Sequence, residues 1–154
     1  MTSIKIKHSN AVSANDFFLN EFSRLNDSST RSIATSRLQS YVQEKLTTEQ
    51  VPTMLRCMHR SVKPDGGKPS GRKECVRLLT FACDVAAKRV ARYIKRIVAS
   101  VLHYSGDKDS TVREACGDAV SATVKPLLER STKQDTRTAF ADIILEPIFE
   151  RMVG

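Results

Sequence analysis

Histidine, cysteine and carboxylate are the residue types that ligate metals or activate nucleophiles, and their spacing in this chain supports neither chemistry. His8, His59 and His103 are far apart, and no Ser/His/Asp or Cys/His set is arranged to bring a base to a nucleophile. Cys57, Cys75, Cys83 and Cys116 include no CxxC pair, and no histidine stands at ligand spacing from any of them, so zinc is not expected. Each cysteine falls in an apolar helical pattern and reads as a small buried hydrophobe in a reducing compartment. Gly66-Gly67-Lys68 lacks the strand and spacing of a phosphate-binding loop. No catalytic residue, metal, cofactor or small-molecule substrate is expected.

What remains is charge. The chain of 154 residues carries 25 Lys and Arg against 17 Asp and Glu, a formal net charge of +8. Such a surplus draws in a partner with an acidic surface, and nucleic acid, anionic membrane and acidic protein all qualify. Two groups of cations could carry the contact. Lys63, Lys68, Arg72 and Lys73 surround residues 62–71, a segment with two Pro and three Gly that reads as a loop, where backbone and charge are open to a partner. Lys88, Arg89, Arg92, Lys95 and Arg96 form a secondary basic face, opposite the stripe Val90, Ile94, Ile97 and Val101; a solvated helix face would show the same pattern. Tyr93 is the only aromatic among these basic segments, which argues against stacking single-stranded nucleic acid. No stretch approaches the ~20 apolar residues of a membrane span, and residues 1–12 have Lys5 and Lys7 but no apolar leader core. The expectation is a flexible segment over 1–12, then one soluble, cytoplasmic domain over 13–154.

The elements that must hold these cations repeat. Arg31, Arg72 and Arg113 stand 41 residues apart, each followed three positions later by a small residue: Ala34, Cys75 and Cys116. Leu38, Leu79 and Val120, then Val42, Cys83 and Val124, continue an apolar stripe at helical spacing. Three equivalent helices are thus marked out. Between them run other amphipathic stripes: Phe17, Phe18, Phe22 and Leu25; Val51, Met54, Leu55 and Met58; Val90, Ile94, Ile97, Val98 and Val101. The reading is paired helices near 13–25 and 28–45, 48–62 and 70–86, 88–104 and 109–128, with a further helix near 136–152. Repeats would cover about 13–45, 48–86 and 88–128, with a partial fourth. Asp27 and Asp109 are expected as N-caps and Pro52 in a first helical turn, while Pro126 and Pro147 sit uncomfortably inside helices, Pro147 enough to kink the last. Arg31 and Arg113, with Asp109, are expected to brace the repeats. The face of Phe140, Ile143, Ile144, Ile148 and Phe149 lacks a covering helix, so further repeats or a second copy of the chain is expected against it.

Two-helix repeats near 40 residues are the HEAT and armadillo class, so the fold class is an all-α HEAT-repeat α-solenoid of about three helix pairs plus one further helix. Asp109, Val112, Arg113 and Ala115 resemble the HEAT signature. Arg24 to Ser28, Arg72 to Leu79, Asp107 to Cys116 and Ile144 to Phe149 together resemble the N-terminal HEAT domain of Tortifolia/Spiral plant-type microtubule-associated proteins, a group related to TOG tubulin-binding domains. That resemblance implies a paddle whose intra-repeat turns line one edge and contact tubulin or microtubules at the cytoskeleton. Carried over by position, the edge comprises Asn26 and Asp27, then Lys63, Lys68 and Arg72, then Lys108. A scaffold for another acidic protein complex and a nucleic-acid-binding HEAT protein remain as alternatives.

Overall fold

The computed structural model describes residues 14–131. The segment 1–12 and the helix expected near 136–152, with Pro147 and its apolar face, lie outside them. Within them the chain is an all-α solenoid with no strand. Helix α1 covers residues 14–24; α2 is Arg31–Glu44, α3 Val51–Ser61, α4 Pro69–Val85, α5 Ala87–Val90, α6 Ile94–His103, α7 Ser110–Ala122 and α8 Val124–Arg130. None of these helices is long and apolar enough to cross a membrane.

The helices lie in two rows. α2, α4 and α7 pack side by side in one, and α3 against α6 in the other, which α1 joins through Asn15, whose backbone and side-chain oxygens approach the Cys57 thiol. The expected stripes make the core between the rows: Ala34, Leu38 and Val42 of α2; Cys75, Leu79 and Cys83 of α4; Met54 and Met58 of α3; Ile94, Ile97, Val98 and Val101 of α6 are all buried. All four cysteines are free and buried, and burial pushes the thiol of Cys83 up to about 12 and that of Cys116 to about 11.

Three local expectations are corrected. The helix expected over 109–128 breaks at Thr123, leaving Pro126 in the first turn of α8. Proline has no N–H for the carbonyl four residues back and its ring collides with it, so an unbroken helix is closed off. Val124 therefore leaves the apolar stripe and is 44% exposed, while Leu127 is buried. The helix expected over 88–104 is interrupted by a 3-10 turn at Ala91–Tyr93, without Gly or Pro. α8 packs against both α5 and this turn, so packing rather than local sequence shapes it. Asp27 does not cap α2, whose N-cap is Thr30. Its carboxylate instead accepts from the Ser29 N–H at 2.9 Å and the Ser29 hydroxyl at 2.8 Å, closing the preceding turn.

Candidate functional site

The three arginines at 41-residue spacing perform one local task. Arg31 Nε donates to the Leu25 carbonyl at 2.8 Å, Arg72 Nη1 to the Gly66 carbonyl at 2.8 Å, and Arg113 Nη1 to the Asp107 carbonyl at 2.7 Å. In each case the acceptor lies six residues back, in the turn that precedes the helix, so each arginine ties its own turn to its own helix.

The turns are also tied to one another. Asn26 Nδ2, in the first turn, donates to the Ser61 carbonyl at the end of α3 at 2.9 Å. Gly71, in the first turn of α4, is packed so closely that a Cβ there would meet the Leu25 carbonyl oxygen at 2.9 Å, so a side chain at this position would force the two apart. Gly67 holds a φ of +67°, a conformation open to glycine and strained for other residues. From the second loop, the Tyr104 hydroxyl is reached by the Val62 carbonyl, to which it donates at 2.7 Å. Arg72 Nε and Nη2 grip the Asp107 carboxylate at 2.5 and 3.1 Å, with both side chains buried. Burial alone would raise the Asp107 carboxyl, but the hydrogen bonds from Arg72 and from the Asp109 N–H hold it below the ordinary carboxylate range. The result is a row of turns laced into one edge.

On this scaffold Lys63, Lys68 and Lys108 are exposed. A groove of about 720 Å³ separates the second loop from the third turn; Pro64, Asp65 and Gly67 line one side, Tyr104, Gly106 and Lys108 the other, and Arg72 with Asp107 also line it. Asp27 is exposed at the first turn, its carboxyl lowered first by the Ser29 hydrogen bonds and further by Lys68 and Arg31. Asn26 and Arg72 have their donors turned inward, and Lys73 is half-buried, lining a shallow groove with Glu114 and Asp118 of α7. Asp109 caps α7, accepting from the Thr111 N–H at 2.8 Å.

The secondary basic face divides. Arg89 reaches across to the end of α2, donating to the carbonyls of Val42 at 2.8 Å, Leu46 at 2.7 Å and Gln43 at 3.1 Å. Val42 and Gln43 lie in the last turn of α2, where a helix leaves its carbonyls unsatisfied, so Arg89 caps α2 and ties the following Leu46 to it. Lys88, Arg92, Lys95 and Arg96 are exposed. A histidine pair was not anticipated: His59 and His103 pack edge to face with centroids 4.8 Å apart, and His59 Nε2 lies 2.8 Å from the Ser100 hydroxyl. Burial, then the neighbouring His103 and Lys63, lower His59 to about 4. The signal was in the interval, because His59 and Ser100 are one repeat apart, 41 residues. No third His, Cys, Asp or Glu among the described residues joins the pair to make a metal site.

Comparison with known proteins gives a family. The family model described as TORTIFOLIA1 N-terminal matches residues 16–154. The chain is similar to microtubule-associated protein TORTIFOLIA1 of Arabidopsis thaliana, 31% identical over 137 residues that cover 87% of this chain and 16% of that protein. It is similar also to TORTIFOLIA1-like protein 1 of the same plant, 28% identical over 153 residues, 94% of this chain and 18% of the relative. TORTIFOLIA1-like protein 4 is 26% identical over 130 residues, 84% of this chain and 19% of the relative. The chain thus spans under a fifth of the length of these relatives.

Proposed function

The chain belongs to the TORTIFOLIA1 N-terminal family, and from that premise we propose that it is a non-catalytic HEAT-type module that associates with microtubules, as part of the cytoplasmic cytoskeleton. The supporting observation is the laced edge with Lys63, Lys68 and Lys108 exposed on it. Tubulin is the acidic partner that these cations meet. One exposed ion pair contributes only about 0.2–1 kcal/mol, so several must engage together to matter. Fixing their turns beforehand lowers the ordering cost of that joint contact. Asn26 and Arg72 serve the contact by holding the turns, with their own donors directed into the protein.

The test is co-sedimentation with microtubules of the wild type and a Lys63→Glu/Lys68→Glu/Lys108→Glu variant. Arg72 is left intact, because reversing a buried charge would unsettle the fold itself. The expected result is pelleting of the wild type, a several-fold loss in the variant and a cooperative thermal melt that shows the variant folded. Equal pelleting of both proteins would refute the surface, and background pelleting of the wild type would refute microtubule association.

A further inference from the structure

The row of α3 and α5–α6 carries a second set of cations, on its helices rather than on the turns. Neither residues 51–64 nor residues 85–106 contain an Asp or Glu. Arg56 and Arg60 are exposed on α3, and Lys88, Arg92, Lys95 and Arg96 on the neighbouring α5–α6 run. Among the described residues these six form no ion pair or hydrogen bond. The other row is different: Arg77 pairs with Glu74 at 3.3 Å, and Lys73 and Arg77 share a groove with Glu114 and Asp118. Among the described residues, unpaired positive charge is therefore concentrated on the α3 and α5–α6 row.

Arg92 and Arg96 are held close, their guanidiniums over the same Tyr93 ring at 5.6 and 5.8 Å; like charges so placed repel one another, and an external polyanion relieves that repulsion. The composition of the face selects among polyanions. Its one aromatic, Tyr93, is half-buried with the guanidiniums of Arg92 and Arg96 over its ring at 5.6 and 5.8 Å, so it offers no platform to a nucleic-acid base. Among the described residues the large exposed apolar side chains, Ile33, Val85, Val124 and Leu128, lie on α2, α4 and α8 and not among these six cations, an arrangement that favours a charged partner over insertion into a membrane. Four of its six cations are arginines, whose planar fork matches carboxylates with two parallel hydrogen bonds. We infer that this face binds an extended, flexible polypeptide segment rich in Glu and Asp. The inference stands apart from the loop edge and survives the failure of that reading.

Fluorescein-labelled poly-L-glutamate, titrated with the chain at low salt and followed by anisotropy, tests it. Binding is expected to saturate, to weaken as salt rises, and to fall by about tenfold or more in Arg92→Glu/Lys95→Glu/Arg96→Glu. Arg56→Glu/Arg60→Glu, on a different helix, should lose affinity as well, so a folding defect in one variant leaves the other to decide. The Lys63→Glu/Lys68→Glu/Lys108→Glu variant should bind poly-L-glutamate as the wild type does. Absence of binding, indifference to both face variants, or loss in the loop variant alone would overturn the inference. So would a single-stranded oligonucleotide of equal charge that bound more tightly and lost affinity in the same face variants.

Discussion

Replacing Arg72 with Ala removes in one step the bond to the Gly66 carbonyl, a weaker one to Gly67 at 3.2 Å, and both bonds to Asp107. It also strands a carboxylate whose side chain is 1% exposed, leaving it only the Asp109 N–H at 2.9 Å. Breaking a buried pair by removing one partner costs roughly 3–5 kcal/mol, because an uncompensated charge stays behind. At about 3 °C per kcal/mol for a chain of this length, Tm should fall by about 10–15 °C. The assay is thermal and urea unfolding followed by helical circular dichroism, on Arg72→Ala, Asp107→Ala and the double variant. The double should lose less than the two singles summed, since it removes the stranded charge as well. Acid adds a second readout. The Asp107 carboxyl lies below its unfolded value in the folded chain, so its stabilisation is present above about pH 4 and is lost as pH falls through the depressed folded value. The gap between wild type and Asp107→Ala should therefore close in acid. A loss of under about 1 kcal/mol in Arg72→Ala, the size of an exposed pair, or strict additivity of the singles, would refute the argument.

Other consequences can be checked directly. His59, lowered to about 4 by burial and its neighbours, takes up its proton more readily unfolded than folded. Stability should therefore drop as pH falls from about 6.5 towards 4, and less so in His59→Asn; a ring titrating near 6.5 by NMR would contradict this. Cys83, pushed up to about 12 by burial, should resist a thiol reagent at pH 8 in the native chain and react at once in urea; fast native labelling would show that the core is open. Gly71→Ala forces a Cβ against the Leu25 carbonyl and should cost about 1–3 kcal/mol, whereas Gly117→Ala, with nothing within 4 Å, should stabilise α7 by roughly 0.5–1 kcal/mol. Equal melts for these two variants would show that the first turn yields to α4.

The repeat was legible because residues in equivalent places do equivalent work. Arg31, Arg72 and Arg113 each need an acceptor six residues back, and Ala34, Cys75 and Cys116 each need to be small and buried, so their types recur at the interval of the helices. Which cations are free to meet a partner was not legible, because that depends on residues distant in sequence. Arg72 finds Asp107 35 residues on, and Arg89 finds carbonyls 43 to 47 residues back, and neither pairing leaves a mark in local pattern. Pro126 announced the break in its helix, but that Val124 would then be exposed and Leu127 buried depends on how α8 seats against α5. The 3-10 turn at Ala91–Tyr93 has no Gly or Pro to betray it, and its cause is likewise tertiary.

The same interval isolates one position where local stability and the proposed contact conflict. Asp27, Lys68 and Asp109 are equivalent, and the residues two further on are Ser29, Ser70 and Thr111. Asp27 and Asp109 each accept from the N–H and the hydroxyl of that second residue. Lys68 stands at the N-cap of α4 with φ −96° and ψ 146°, close to the −83° and 126° of Asp109, yet makes no capping bond. The backbone is thus already shaped for a capping carboxylate, and the middle turn presents a cation instead. Lys68→Asp should restore the cap and the favourable charge at the helix start, raising stability by about 0.5–1 kcal/mol. The same change should weaken microtubule pelleting, because it removes a cation from the edge and sets a carboxylate there. Urea unfolding and co-sedimentation on one preparation read the two effects separately. A variant that gained no stability would show that α4 does not lack a cap; one that gained it and pelleted as before would remove Lys68 from the contact.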